Sequence, residues 1–78
     1  MKTTQYFLFM RERPDRKQIK DEWILQAIGH PIKEVVQKDG RIKRWCKIAE
    51  ANNKYIRVVL LEDKETVHNA FFDRSFKE

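Results

Sequence analysis

In the first half of the chain, the spacing of hydrophobic positions predicts a helix. Between residues 17 and 28 apolar side chains recur at intervals of three and four, and polar side chains fill the positions between them. This period is that of an amphipathic helix. Asp15 can cap its start after the break at Pro14, and Gly29 followed by Pro31 ends it. The apolar positions are Ile19, Trp23, Ile24, Ala27 and Ile28.

A shorter apolar run near the start of the chain fits two structures. Residues 6–10 are consecutive apolar residues, as in a buried strand. Thr3 or Thr4 could instead cap a helix that carries Phe7 and Met10 on one face. We favour the helix, and the strand stays open as the alternative.

From Lys33 onward the hydrophobic period changes to two, which predicts strands. Three turn sequences interrupt this region: Asp39-Gly40, the longer stretch 49–54, and residues 62–65. Asp39-Gly40 favours a type I′ turn, which needs positive φ at both central residues. Three hairpins in series predict a four-stranded antiparallel meander. The expected fold class is therefore α+β, with N-terminal helical segments packed on the sheet and residues 1–78 forming a single domain.

Symmetric pairing across these turns sorts the strand residues into two faces. It places Arg44 opposite Val59, and Val59 opposite His68. The face expected to lie against the helix holds Trp45, Ile56, Val58, Leu60, Val67 and Phe71. The other face holds Arg44, Cys46, Arg57, Val59, His68 and Ala70. Because this second face combines cations with an imidazole, we expect a ligand to bind there.

Composition excludes several classes of protein. The chain is 41% hydrophobic and 37% charged, which is too apolar for a disordered segment. The single Cys46 excludes an intrachain disulfide and a four-cysteine zinc site, and it fits a cytoplasmic location. No apolar run reaches 18 residues, so we expect no membrane span. We expect neither a metal nor another cofactor.

The chain is also basic, with 17 Lys and Arg residues against 12 Asp and Glu and a formal charge of +5. This charge attracts polyanions or an acidic protein partner. Residues 41–47 alternate basic and apolar side chains around Trp45. Such a composition fits a strand that lies against RNA, and it equally fits an ordinary half-buried strand.

The candidate catalytic residues are His68, Arg57 and Arg44. His68 can transfer a proton because histidine titrates near neutral pH. Arg44 and Arg57, on the same predicted face, would hold a phosphate and stabilise its developing charge. The alternative is structural: a hydrogen-bonded surface histidine and solvated strand arginines. The candidate nucleic-acid contacts are Arg41, Lys43, Arg44, Arg57 and Arg74.

Short motifs are spread over most of the chain. They are Met10-Arg11-Glu12-Arg13, Ile19, Glu22-Trp23-Ile24, His30-Pro31, Asp39-Gly40-Arg41, Arg57-Val58-Val59 and residues 66–74. This layout resembles that of small bacterial proteins related to BrnT-type and, more distantly, RelE-type toxins. The resemblance implies a small α+β ribonuclease-like fold in which basic residues and a His or Tyr on the sheet act on RNA. The matching positions in this chain would be Arg41, Arg44, Arg57 and His68.

Two functional hypotheses follow. In the first, the domain binds RNA and cleaves it without a metal, through the face of Arg44, Arg57 and His68. In the second, it is a noncatalytic module that docks an acidic protein, or forms a homodimer through a sheet edge. An acidic or DNA-binding antitoxin-like partner belongs to the first hypothesis, because the resemblance to the toxins implies it. The edges would be residues 33–38 and residues 66–72, and the latter carries few charges to protect it.

Overall fold

The computed structural model describes all 78 residues and contains two helices followed by a four-stranded antiparallel sheet. The helices are α1, Gln5–Met10, and α2, Asp21–Gly29. The strands are β1, Lys33–Val36, β2, Ile42–Ile48, β3, Lys54–Leu60, and β4, Val67–Phe72. The sheet order is β1-β2-β3-β4, which confirms the predicted α+β meander.

Helix α1 confirms the favoured structure of the first apolar run. The Thr4 side chain accepts a hydrogen bond from the Phe7 amide at 3.0 Å and so caps the helix. Phe7 and Met10 form its buried face. Just before the helix, Thr4 N donates to the Val67 carbonyl and Val67 N donates to the Lys2 carbonyl. The start of β4 is thus paired with residues 2–4, where the sequence predicted an open edge.

Helix α2 begins later than the sequence predicted and ends at Gly29, as predicted. The residues after Pro14 form turns instead of a first helical turn. The prediction that Asp15 caps the helix is wrong, because Lys20 occupies the N-cap position and the Asp15 carboxylate instead pairs with Arg13 and Arg16. The buried face of α2 consists of Trp23, Ile24 and Ala27. No helix of the protein is both long and apolar enough to cross a membrane.

The register of β2 differs from the prediction by one residue. Arg44 lies opposite Val58, not Val59, so the even-numbered residues of β2 face the helices. The prediction that Trp45 and Phe71 face the helices is wrong. The prediction that Arg44, Cys46 and Ala70 face away from them is also wrong. The sheet residues on the helix side are Ile42, Arg44, Cys46, Ile48, Ile56, Val58, Leu60, Val67, Ala70 and Phe72.

Two local features cause these differences. Between β2 and β3 a 3₁₀ helix, Ala49–Ala51, is followed by Asn52 and Asn53 in the left-handed region, and this loop places Ile48 opposite Lys54. In β4 the pairing shifts between Val59 and Leu60, which leaves His68 as an extra residue in a β-bulge. A bulge turns the residues beyond it to the other face.

Asp39-Gly40 joins β1 to β2 as predicted, but in a different geometry. Gly40 alone has positive φ there, 90°, which excludes a type I′ turn. Gly40 N donates to the Gln37 carbonyl and Gln37 N donates to the Arg41 carbonyl, the pattern of a type I turn followed by a left-handed glycine. A Cβ at Gly40 would also lie 1.9 Å from the Glu62 carboxylate.

The two helices cover only one face of the sheet. Helix α1 packs against β4, and α2 packs against β2 and β3. The opposite face has no helix over it. Strand β1 has no neighbour on its outer edge, and all four of its residues are exposed.

We expect Arg44 to stabilise the fold because it joins β2 to the end of α2. Its Nη1 donates to the Ile28 carbonyl at 2.8 Å, and its Nη2 lies 3.0 Å from the Glu34 carboxylate. Arg44→Ala should lower the free energy of unfolding by about 1–3 kcal/mol. Lys43→Ala, on the opposite face, is the matched control and should change it by less than about 0.5 kcal/mol. Urea unfolding measures the stability of both variants. Equal losses of stability in Arg44→Ala and Lys43→Ala would contradict the β2 register.

Candidate nucleic-acid interface

A shallow depression of about 490 Å³ lies on the sheet face that the helices leave uncovered. We name it the Lys43 depression. Three cations line it and no carboxylate does. Its lining residues are Tyr6, Gln37, Arg41, Lys43, Arg57, Val59, His68, Asn69 and Phe71. It is therefore an open surface of positive charge with aromatic and amide side chains among the cations.

The strand register brings these side chains together. Lys43 lies opposite Val59, which lies opposite Asn69. The neighbouring row across the sheet holds Trp45, Arg57 and Phe71. Alternate residues of a strand share a face, so both rows project away from the helices.

His68 is held at the depression by the start of α1. Its ring stacks on Tyr6 with the ring centroids 4.8 Å apart, and its Nδ1 lies 3.1 Å from Thr4 Oγ. Burial, and then the positive charge of Arg41, lower the pKa of His68 below its ordinary value of 6.5. At pH 7 the neutral imidazole is therefore the main form, and this form can accept a proton. Nε2 is the nitrogen that Thr4 leaves free.

Arg57 is oriented by a buried carboxylate. Its Nε and Nη2 donate to Asp73 Oδ2 at 3.0 and 2.7 Å. Its guanidinium also lies 4.9 Å from the centre of the Phe71 ring and 5.5 Å from that of Trp45. Asp73 already uses much of the hydrogen-bonding capacity and charge of Arg57. Arg57 is therefore better suited to shaping the depression than to making a bidentate contact with a phosphate.

Asp73 is only 8% exposed and lies beside the site, where it is bonded to Arg57. Burial raises its pKa, but hydrogen bonds from Trp45, Ser75 and Arg57 outweigh burial and hold the pKa well below its ordinary value. Trp45 Nε1 donates to the carboxylate at 3.0 Å, and Phe76 stacks on the Trp45 ring at 5.0 Å. The chain after β4 thus folds back over Trp45 on the outer sheet face and leaves the Lys43 depression open.

The structure brings two of the three predicted catalytic residues, Arg57 and His68, to one depression. Arg44 does not join them. The prediction that it shares their face is wrong, because the β2 register is shifted and its guanidinium is bound on the helix side. Of the predicted nucleic-acid contacts, Arg41, Lys43 and Arg57 line the depression. Arg74 lies in a separate depression, beyond Phe71.

Tyr6, Asn69 and Gln37 also line the depression but were not predicted as site residues. The sequence did contain a signal for Tyr6. In a helix whose buried face contains Phe7, the preceding residue lies on a different face. The bulge that turns Asn69 outward has no comparable sequence signal. No three His, Cys, Asp or Glu side chains lie close enough together to hold a metal ion.

No protein-family model matches the chain, and comparisons with curated proteins and with solved structures find no match either. The resemblance to BrnT-type and RelE-type toxins therefore stays a prediction.

We expect Asp73 to make stability depend on pH in the acid range. Because the pKa of Asp73 is lowered by folding, its contribution is complete above its unfolded value of about 3.8 and is lost as the pH falls further. Asp73→Asn should be less stable at pH 7 by about 1–3 kcal/mol. The difference from the native protein should shrink between pH 4 and pH 2.

Urea unfolding of both proteins at several pH values measures this difference. Asp15→Asn, which changes an exposed carboxylate, is the control and should alter stability at pH 7 by less than about 0.5 kcal/mol. A difference between native protein and Asp73→Asn that stays constant down to pH 2 would contradict the assignment.

Proposed function

We propose that the protein binds single-stranded RNA in the Lys43 depression. One observation carries this proposal: three cations and no carboxylate line an open depression on a sheet face that no helix covers. Phosphate groups supply most of the affinity of nucleic acids for proteins, and they bind Lys and Arg side chains. A cytoplasmic location, expected from the single cysteine, fits this role.

Two of the cations can meet a phosphate directly. Lys43 has no carboxylate within ion-pair distance. Arg41 has only a long pair with Asp39, at 3.9 Å, and such exposed pairs contribute little. Both side chains can therefore exchange their solvent contacts for a phosphate at small cost.

Aromatic side chains beside the cations favour a single strand over a duplex. Tyr6 is 46% exposed and, with His68, offers a ring surface at the rim. Unpaired bases stack on such rings, whereas the bases of an RNA duplex are already stacked on each other. The amide side chain of Gln37 offers donors and an acceptor for a base edge or a 2′-hydroxyl.

The place of His68 in one depression with Arg41 and Lys43 favours cleavage as a second activity of the same site. We propose that His68 Nε2 accepts the 2′-hydroxyl proton, that this oxygen attacks the adjacent phosphorus, and that the 5′-oxygen leaves with a proton from water. Arg41 and Lys43 would stabilise the charge that develops on the phosphate. Arg57 would act as a positioning residue. Arg44 has no part, because it is bound on the helix side.

Binding is measured by the fluorescence anisotropy of a labelled, mixed-sequence 12-nucleotide RNA. Lys43→Ala should raise Kd about 3- to 10-fold and flatten the slope of log affinity against log salt by about 0.7. Lys20→Ala removes the same charge from the helix side, beside Trp23, and is the matched control. Its Kd should stay within about twofold of the native value.

Equal effects of Lys43→Ala and Lys20→Ala, or an affinity that does not depend on salt, would contradict binding in the Lys43 depression. The same RNA, incubated with the native protein in EDTA, tests cleavage. If the native protein shortens the RNA and His68→Gln leaves it intact, the result supports a proton-transfer role for His68. Intact RNA with the native protein would restrict the function to binding.

A noncatalytic interaction module is the second candidate function, and the exposed strand β1 favours it. Val36 is 64% exposed, and the outer backbone edge of this strand has no partner. Such an edge can pair with a second copy of the chain to form a homodimer. An acidic protein partner could also bind the cations of the Lys43 depression.

If β1 mediates self-association, the native protein should form a dimer that dissociates on dilution. Val36→Lys should remain monomeric, because a charge on an edge strand opposes pairing. Light scattering across a dilution series measures both proteins. A native protein that is strictly monomeric at the highest concentration would contradict edge pairing.

A further inference from the structure

A second basic depression, of about 330 Å³, lies on the far side of Phe71 from the Lys43 depression. We name it the Arg74 depression. Three cations and one carboxylate line it. Its lining residues are Asp15, Arg16, Gln18, Lys54, Phe71, Phe72 and Arg74. The RNA site proposed above does not include it.

The cations of this depression are largely available to a ligand. Neither Lys54 nor Arg74 has a carboxylate within ion-pair distance. The one lining carboxylate, Asp15, is exposed and is shared between Arg13 at 3.3 Å and Arg16 at 3.8 Å. Lys54 and Arg74 therefore carry positive charge that no carboxylate within the chain neutralises.

Phe71 is the wall that the two depressions share. The Arg57 guanidinium lies 4.9 Å from the centre of its ring, and the Arg16 guanidinium lies 5.0 Å from it. Arg57 lines the Lys43 depression and Arg16 lines the Arg74 depression. Arg16 is fixed there by a hydrogen bond from its Nη1 to Asn69 Oδ1 at 2.6 Å. Guanidinium groups thus flank the Phe71 ring on both sides, although Arg57 is paired with Asp73 and Arg16 lies 3.8 Å from Asp15.

We infer that one RNA strand occupies both depressions and crosses the Phe71 wall between them. This inference rests on the proposed function and adds a second set of phosphate contacts to it, made by Arg16, Lys54 and Arg74. A continuous single strand fits because its phosphates repeat along the chain, so cations at successive positions all find partners. The ligand class is accordingly a strand of several nucleotides rather than a mononucleotide or a single phosphate.

Two RNA lengths test this inference. A dinucleotide has one internucleotide phosphate and can engage the cations of only one depression at a time, whereas a 12-nucleotide RNA can reach both. Arg74→Ala should raise Kd for the long RNA about 3- to 10-fold and lower its salt slope by about 0.7, and leave Kd for the short RNA within about twofold. Lys43→Ala should weaken both RNAs, and Lys20→Ala should weaken neither. Anisotropy with labelled RNAs measures all four proteins.

The outcomes separate this inference from the proposed function. If the native protein binds neither RNA, the proposed function fails and the inference fails with it. If RNA binding is sensitive to Lys43→Ala but Arg74→Ala has no effect on the long RNA, or an equal effect on both lengths, only the inference is overturned. Lys54→Ala repeats the test from β3, whereas Arg74 lies in the chain after β4, so a folding defect in Arg74→Ala alone would be recognised.

The remaining alternative is that this surface binds an acidic protein instead of RNA. A labelled peptide of twelve glutamates carries repeated negative charge but neither bases nor ribose. If this peptide binds as tightly as the long RNA, and Arg74→Ala weakens both to the same extent, the surface is one for acidic proteins and the inference is overturned. Peptide binding at least tenfold weaker than RNA binding supports it.

Discussion

The outer face of the sheet depends on the buried carboxylate of Asp73. It accepts hydrogen bonds from Trp45 on β2 and from Arg57 on β3, so that one group from the chain after β4 connects two neighbouring strands. A buried charge is stable only when it is paired and hydrogen-bonded, and these donors meet that condition. The same bonds hold the end of the chain against Trp45, where Phe76 covers the indole. Removal of this carboxylate would free the chain after β4 from Trp45, and Arg57 would lose the partner that orients it.

Cations on the two faces of the sheet differ in whether they have partners. On the helix side, Arg44 is bound to Glu34 and to the Ile28 carbonyl, so it contributes to structure. On the outer side, Lys43 has no carboxylate near it. A strand that alternates faces can therefore carry a structural cation and an available one at adjacent positions. The function proposed for the outer face depends on this difference more than on the net charge of the chain.

The fold could be predicted from the sequence, but only part of the site could. The spacing of apolar residues in α2 and the three turns were sufficient for the α+β meander. The face of Trp45 could not be inferred from alternation, because its burial comes from Phe76, a residue outside the sheet. The bulge at His68 also has no clear sequence signal, although it determines which residues of β4 face outward. Arg57 and His68 were placed together correctly because both project from the face that the core does not use.

The hydroxyl of Thr4 has a consequence for the order in which the protein folds. It caps α1 and also lies beside the His68 ring, and the backbone of Thr4 bonds to β4. A helix of six residues is too short to persist alone in water, since nucleation costs more than so few hydrogen bonds return. Helix α1 therefore depends on a strand that lies more than fifty residues later in the chain. It should form only after the last hairpin has closed, and it should be among the first elements to open.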